Sequence, residues 1–239
     1  MHTTVKSIGM ILFLFLLSGC LYPDEELEKN KVPNEDQLTM IQEAVVEYKQ
    51  ENNGLVPIKT KENDTPVFEK YLIDFTKLKE ANMITEIPGT AYENGGVYQY
   101  ALIDPEDDPQ VKLIDLRMTE KLRSINVQLD IYRDKNMYPP FGEEIADGIY
   151  AIDYEQLNME SSPYVKSPYS DHHLPIIMDS EGQLYIDYRK DLNDALEEFE
   201  HDYKEGDDIR YILAENTPFL PVYSLPYTID EGEPVFLQK

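Results

Sequence analysis

The sequence has almost none of the cysteine that could stabilise a fold covalently. It contains one cysteine, Cys20, and no tryptophan in 239 residues. A single cysteine excludes an intramolecular disulfide, so packing must hold the folded part together. The 18 tyrosines supply much of the area for that packing.

Positive charge is also scarce. Lysine and arginine together number 21 against 47 aspartates and glutamates, which gives a formal net charge of −26. A chain this acidic is not expected to bind nucleic acid, and its body is not expected to adhere to anionic lipid heads. Solubility outside the cell explains the charge more simply than a dedicated cationic partner does.

Only one long apolar run is present, over residues 8–17, and it follows a single firm positive charge at Lys6. As a helix, about ten residues span roughly 15 Å, against ~30 Å for the hydrocarbon core of a bilayer. A short apolar run after a basic start predicts a secretory signal peptide rather than a membrane span.

The run ends in Leu17-Ser18-Gly19-Cys20, which resembles the lipobox of bacterial lipoproteins. The resemblance implies cleavage between Gly19 and Cys20, a diacylglycerol on the Cys20 sulfur (with palmitate among its acyl chains), and a membrane anchor facing outside the cytoplasm. Two acyl chains give stable anchoring where one is marginal. The alternative is an ordinary signal peptide, residues 1–19, followed by an unmodified cysteine.

Residues 20–35 are predicted to be a flexible, acidic tether. They are polar, and Pro23 and Pro33 interrupt them. The folded part then begins with a predicted helix, capped by Asn34 or Asp36. Its apolar residues recur at steps of three, four and three and so share one face: Leu38, Ile41, Val45 and Tyr48.

After this helix, residues 71–81 predict a short strand, or an extended entry, that leads into a short helix. Residues 97–103 and 111–116 predict a hairpin around an acidic turn at 104–109.

The same pattern starts again 84 positions after the first helix, at Leu122, Ile125, Leu129 and Tyr132. Residues 150–157 match 71–78, and residues 175–189 again predict strand, turn and strand. Both copies close on one motif, Ile114-Asp115-Leu116-Arg117 and Ile186-Asp187-Tyr188-Arg189. We therefore predict an α+β fold of two tandem modules, residues 36–117 and 118–190, each an amphipathic helix packed on a small antiparallel sheet.

Residues 191–239 are predicted to form a C-terminal helix, ended by Gly206, and an irregular tail. The face of this helix is marked by Leu192, Ala195, Leu196, Phe199 and Tyr203. Segments 211–213 and 234–237 are candidates for short strands. This region is either a partial third copy or a cap on the second module.

The first module resembles the globular part of type IV pilins and pseudopilins over residues 36–116, and residues 119–189 do so less well. The shared features are a helix ending in Tyr-Lys-x-Glu-Asn-Asn-Gly at 48–54, the motif Tyr-x-Ile-Asp-Phe at 71–75, and Gly-Gly-Val-Tyr-Gln-Tyr at 95–100. The long apolar N-terminal helix of pilins is missing, so the resemblance does not imply a fibre. As a whole the chain resembles the uncharacterised YphF-like lipoproteins of Bacillus-type bacteria, a group that implies no activity.

Two groups of residues are weak candidates for metal binding. His172 and His173, next to Asp171, are adjacent histidines, but adjacent side chains on an extended chain point apart. The surrounding sequence indicates a loop.

Asp104, Glu106 and Asp108 alternate as at the start of a calcium loop. Pro109 stands where such a loop needs glycine, so an ordinary acidic turn is the simpler interpretation. No metal and no other cofactor is expected.

The hairpin tyrosines have two interpretations. They are Tyr98, Tyr100, Tyr185 and Tyr188. Alternation along a strand places part of them in the core, which is the simpler reading, whereas an exposed set would form an aromatic patch for a partner.

No motif identifies a reaction. The sequence has no Gly-x-Ser-x-Gly and no glycine-rich phosphate loop, and carboxylates are too frequent for any pair to indicate acid–base chemistry. We expect a non-enzymatic lipoprotein that binds a protein or cell-wall partner, or has a structural role in the envelope. The alternative is an extracytoplasmic hydrolase that uses carboxylates.

Overall fold

The computed structural model describes residues 33–237. The predicted signal peptide, the cleavage and lipidation site at Gly19 and Cys20, and the tether up to residue 32 lie outside the described residues. Within the described part, helices and small antiparallel sheets together form an α+β fold, which confirms the predicted fold class.

The helices are α1 (Glu35–Glu51), α2 (Val67–Lys70), α3 (Phe75–Glu80), α4 (Leu116–Asn136), α5 (Arg189–Glu198) and α6 (Arg210–Asn216). The strands are β1 (Tyr98–Ile103), β2 (Gln110–Asp115), β3 (Phe141–Ala146), β4 (Ile149–Ile152), β5 (Tyr164–Lys166), β6 (His173–Asp179), β7 (Leu184–Ile186), β8 (Tyr227–Asp230) and β9 (Glu233–Phe236).

Helix α1 begins and ends as its sequence predicts. The Asn34 side chain accepts the N–H of Gln37 at 2.9 Å, which satisfies one of the free donors of the first turn. Ile41 and Val45 are fully buried. At the other end the side-chain amide of Asn52 donates to the carbonyl of Tyr48 at 2.8 Å.

The β1–β2 hairpin is confirmed, and both of its faces are buried. Tyr98 pairs with Asp115 at the open end, and Ile103 pairs with Gln110 beside the turn. One face, which includes Tyr100 and Leu113, packs in the core that contains α1. The other face belongs to the core of the second region. A hairpin covered on both sides explains why its sequence is almost continuously apolar.

The second region has a larger sheet than was predicted. It contains five strands in the order β3-β4-β6-β5, and β7 also pairs with β6. Helix α4 buries Met118, Leu122, Ile125 and Leu129 against the core. The hairpin predicted over residues 175–189 is formed by β6 and β7, but β3 and β5 were missed. Most of β3 is exposed, so it lacks the apolar alternation that identifies a half-buried strand.

The extended segments of the two regions pair with one another in the same order. In the first region Ile58 bridges Ile73, and Leu72 bridges Ala101 in β1. In the second, β3 pairs with β4, and β4 pairs with β6.

A backbone contact recurs at equivalent positions in the two regions. The N–H of Asp74 donates to the carbonyl of Pro57 at 2.8 Å, and the N–H of Asp153 donates to that of Pro140 at 2.9 Å. The prolines that follow the two long helices therefore have the same backbone role.

The C-terminal region differs from its prediction. Helix α5 ends at Glu198, so Tyr203 lies outside it. The tail, expected to be irregular, contains α6 and the β8–β9 hairpin. Segment 211–213 lies in α6 rather than in a strand, whereas the candidate strand near 234–237 is confirmed as β9.

Candidate binding cleft

A cleft of about 1120 Å³ lies between the open end of the β1–β2 hairpin and strand β5. Tyr98, Asp115 and Arg117 line one side, together with Lys121 of α4. Residues 159–171, which include β5, line the other. Its volume is slightly above the usual range for small-molecule sites, which favours a larger, extended ligand.

The side of the cleft formed by Tyr98, Asp115 and Arg117 holds the Arg117 guanidinium in a fixed position. The Arg117 Nε donates to both oxygens of Asp115, at 2.8 and 3.0 Å, and its Nη2 donates to Asp115 at 2.5 Å and to the Tyr98 hydroxyl at 3.3 Å. These hydrogen bonds to the Asp115 carboxylate raise the pKa of Arg117. Burial raises the pKa of Tyr98 to about 12, so its phenol remains neutral.

Two ammonium groups lie at the cleft and form no ion pair within the described part of the chain. Lys121 and Lys166 are exposed and line the cleft, and neither has an ion-pair or hydrogen-bond partner among the described residues. Glu160 and Asp171 are also at the cleft. The cleft is therefore close to electrically neutral in a chain whose net charge is −26.

A buried carboxylate fixes the loop that follows β5. Asp191 of α5 accepts the hydroxyls of Ser167 and Ser170 at 2.8 and 2.7 Å, and its Oδ1 lies 3.2 Å from His172 Nδ1. The second His172 nitrogen lies 3.6 Å from Asp194. The side chain of Asp191 is completely buried.

This cluster combines serine, histidine and aspartate but does not have the geometry of a nucleophile. Both serine hydroxyls donate to the carboxylate of Asp191, and both His172 nitrogens face carboxylates. No imidazole nitrogen is placed to accept a serine proton. The arrangement instead positions the loop that forms one wall of the cleft.

The two adjacent histidines point apart, as the sequence indicated. His172 faces α5, whereas His173 starts β6 and stacks on Tyr164, with ring centroids 3.8 Å apart. The loop prediction therefore holds for His172 but not for His173. Within residues 33–237 no group of three or more His, Cys, Asp or Glu side chains is placed to hold a metal ion.

Asp104, Glu106 and Asp108 form the turn between β1 and β2. The Lys49 ammonium donates to the backbone carbonyls of Glu106 and Asp107, at 2.6 and 2.9 Å. A lysine therefore occupies two carbonyl oxygens of the turn. The segment joins two paired strands, as the sequence predicts for a turn.

Most of the hairpin tyrosines belong to the core. Tyr98, Tyr100 and Tyr188 are buried, and Tyr185 is half-buried. The core interpretation is therefore correct, and the aromatic patch is not formed by these residues.

One carboxyl group has a clearly raised pKa, and it lies away from the cleft. Burial raises the pKa of Glu69, while the N–H of Tyr223, which donates to it at 3.1 Å, acts in the opposite direction. Glu69 thus anchors the backbone at Tyr223 to α2.

Among the described residues no helix is both long and apolar enough to span a bilayer.

The cleft and the roles of Arg117, Lys121 and Lys166 in it were not predicted from the sequence. The available signal was the presence of these three cations in an acidic chain, but Lys166 is distant in sequence from the other two, so they give no local pattern. Ser167 and Ser170 likewise carry no motif that pairs them with Asp191.

The comparisons with known proteins match one part of the chain. Residues 34–115 match the family model described as the YphF family N-terminal domain. This span runs from the cap of α1 to the last residue of β2. Comparison with curated proteins gave no match, and comparison with solved structures gave none either.

Proposed function

We propose that this chain is an exported lipoprotein, anchored to the outer face of the cell membrane through Cys20, that binds a protein or cell-wall partner in its cleft. The observation that carries the binding function is the cleft itself, about 1120 Å³ in volume and lined by two ammonium groups that have no ion-pair partner in residues 33–237. The lipid anchor rests on the Leu-Ser-Gly-Cys motif alone. No observation within residues 33–237 favours the hydrolase alternative.

The family match supports a finer assignment. The YphF match at residues 34–115 is in keeping with descent from the YphF-like lipoproteins of Bacillus-type bacteria. The pilin-like order of helix and hairpin fits a module exposed at the cell surface. The pairing order shared by the two regions supports an internal duplication.

Mass spectrometry of the protein purified from membranes tests the anchor. The N-terminal peptide is expected to begin at Cys20 and to carry a diacylglycerol. The Cys20→Ala variant should leave the membrane fraction or remain unprocessed. An intact, unmodified N-terminus at Met1 would contradict the anchor.

Site-specific photo-crosslinking in intact cells tests the cleft. A photoreactive amino acid replaces Ser162, an exposed residue at the cleft, and in the matched control it replaces Ser124, an exposed residue of α4 that does not line the cleft. We expect a discrete adduct from position 162 alone. Equal adducts at both positions, or none at either, would argue against binding in the cleft.

A further inference from the structure

We propose that the partner is an extended peptide that adds as a strand to the open edge of β5. This inference rests on the proposed binding function and specifies the chemical class of the partner. An edge strand with unpaired backbone groups is a template for another strand.

The register of β5 shows which of its backbone groups point away from β6. Val165 lies opposite Leu174 of β6, and the N–H of Ser167 donates to the carbonyl of His172 at 2.9 Å. In an antiparallel pair the hydrogen-bonding residues alternate. The backbone groups of Val165 and Ser167 therefore point to β6, and those of Tyr164 and Lys166 point away from it.

The outward groups of β5 have no partner within the described part of the chain. Strand β5 pairs with β6 alone, and the backbone N–H and C=O groups of Tyr164 and Lys166 form no hydrogen bond there. The cleft is lined by Tyr164, Val165 and Lys166 in succession. An extended chain in the cleft would thus run alongside free donors and acceptors.

Strand β3 is also an edge strand, but two of its features oppose the addition of another strand. Its pairing with β4 shifts register twice, between Phe141 and Glu144 and between Glu144 and Ala146. Irregular register and charged side chains prevent strand addition. Strand β5 keeps a regular register with β6 over its three residues, and Lys166 is its only charged residue, so it is less protected than β3.

The cleft has cations that can pair with acidic side chains of a bound peptide, whereas its Glu160 and Asp171 would select against a peptide that is acidic throughout. Lys121 and Lys166 have no carboxylate partner in residues 33–237, and Arg117 uses its Nε and Nη2 but not its Nη1. A carboxylate on the bound strand would pair with these groups at little cost, because the cations are partly exposed.

The test compares two substitutions at one position. Lys166→Ala removes the ammonium group and keeps the outward N–H, whereas Lys166→Pro removes both. The hydrogen bonds of Val165 and Ser167 to β6 are unaffected by either change, and proline is tolerated where an edge N–H faces outward. Circular dichroism and thermal unfolding verify that both variants fold.

The probe is a phage-displayed library of random ten-residue peptides, selected on the full-length mature chain with Cys20→Ala. We expect selected peptides to contain acidic residues and to bind Lys166→Pro about tenfold more weakly than Lys166→Ala, the loss expected for one backbone hydrogen bond. Amide exchange at Tyr164 and Lys166 should slow in the complex.

Three outcomes would overturn strand addition. The first is equal binding of the peptides to both variants, and the second is that no peptide can be selected. The third is that selection succeeds only after residues 21–32 are removed, which would mean that this segment of the chain itself occupies the edge of β5. A cleft adduct at Ser162 in cells together with equal peptide binding by both variants would leave the binding function standing and reject the peptide class. Absence of the adduct would reject the binding function itself.

Discussion

At the scale of single residues, burial controls the titration of the tyrosines. Tyr188 and Tyr227 are almost completely buried, and loss of hydration raises the pKa of both phenols well above the ordinary value. Each hydroxyl donates a hydrogen bond that needs the neutral form. The Tyr188 hydroxyl donates to the carbonyl of Val222 at 3.0 Å, and that of Tyr227 donates to the carbonyl of Ile186 at 3.4 Å.

We predict loss of stability above about pH 10. Tyrosine ionises near pH 10 in the unfolded chain, whereas these two remain protonated in the folded chain. The folded state therefore holds more protons above pH 10, so stability is complete below that pH and falls as pH rises, by about 1.4 kcal/mol per pH unit for each buried tyrosine. Urea unfolding between pH 8 and 11.5 measures the slope. A flat profile would contradict the assignment.

Glu69 provides a second prediction at this scale. Because burial raises its pKa, its contribution to stability is greatest at low pH and declines as the carboxyl ionises. Glu69→Gln keeps an oxygen for the Tyr223 N–H and removes the charge, so we expect unchanged or higher thermal stability at pH 7. Glu69→Ala leaves that N–H without its acceptor and should cost about 1–2 kcal/mol. Thermal unfolding of both variants measures the two effects. A Glu69→Gln variant as unstable as Glu69→Ala would be inconsistent with a buried charge.

At the scale of elements, one device starts three helices. Asp115, Asp187 and Asp208 each accept the backbone N–H two residues ahead, at 3.0, 3.1 and 3.2 Å. The guanidinium of the arginine at that position also donates hydrogen bonds to the same carboxylate. These arginines, Arg117, Arg189 and Arg210, each lie over an aromatic ring, those of Tyr98, Phe236 and Phe68 respectively. The aspartate is the N-cap of α4 alone. At all three helices the motif pairs the aspartate with the arginine and packs the guanidinium on a ring.

The third example of this device is informative about the C-terminal region. Helix α6 begins with Asp208 and Arg210 and ends with Asn216, whose amide donates to the carbonyl of Ile212 at 2.9 Å. Helices α1 and α4 end in the same way at Asn52 and Asn136. A short helix with both end motifs and a hairpin after it agrees with the hypothesis of a partial third copy.

We predict that replacing the aspartate by alanine lowers the free energy of unfolding more where the paired arginine is more buried. The arginine side chains are 50%, 37% and 9% exposed at Arg117, Arg189 and Arg210. Asp208→Ala leaves a nearly buried cation unpaired and should cost about 3 kcal/mol, whereas Asp115→Ala mainly loses a cap, about 1 kcal/mol. Urea unfolding of the three alanine variants gives the order. Equal losses would mean that the burial of the arginine has no effect.

At the scale of the whole molecule, the C-terminal region joins the two cores. Phe219 bridges Leu113 of β2, and its ring packs 5.8 Å from that of Tyr98 and 6.3 Å from that of Tyr169. The Lys112 ammonium donates to the carbonyls of Glu215 and Thr217, at 3.0 and 2.9 Å. The first region therefore depends on residues more than a hundred positions later in the chain.

We predict that Phe219→Ala destabilises both regions together, by about 3 kcal/mol. Phe141→Ala, at a half-buried position of β3, is the control and should cost less. Amide exchange in β1 and β6 reports the two regions separately. Loss of protection in β1 alone would show that the regions unfold independently.

The sequence determined the parts of this protein that depend on neighbours in the chain. Helices α1 and α4 follow from apolar residues at helical spacing, and the β1–β2 hairpin follows from two apolar segments around an acidic turn. These signals are local, because one turn of helix or one hairpin places its side chains without help from the rest of the fold.

Tertiary structure alone decided the cleft, the open edge of β5 and the conformation of the tail. Residues 211–213 are apolar and short, a pattern that fits a strand or a buried helix, and packing selected the helix. Asp191 meets Ser167 and Ser170 only because α5 returns to the end of β5. Contacts of this kind join segments far apart in sequence, so no periodicity records them, and the distribution of charge around the cleft exists only once the chain has folded.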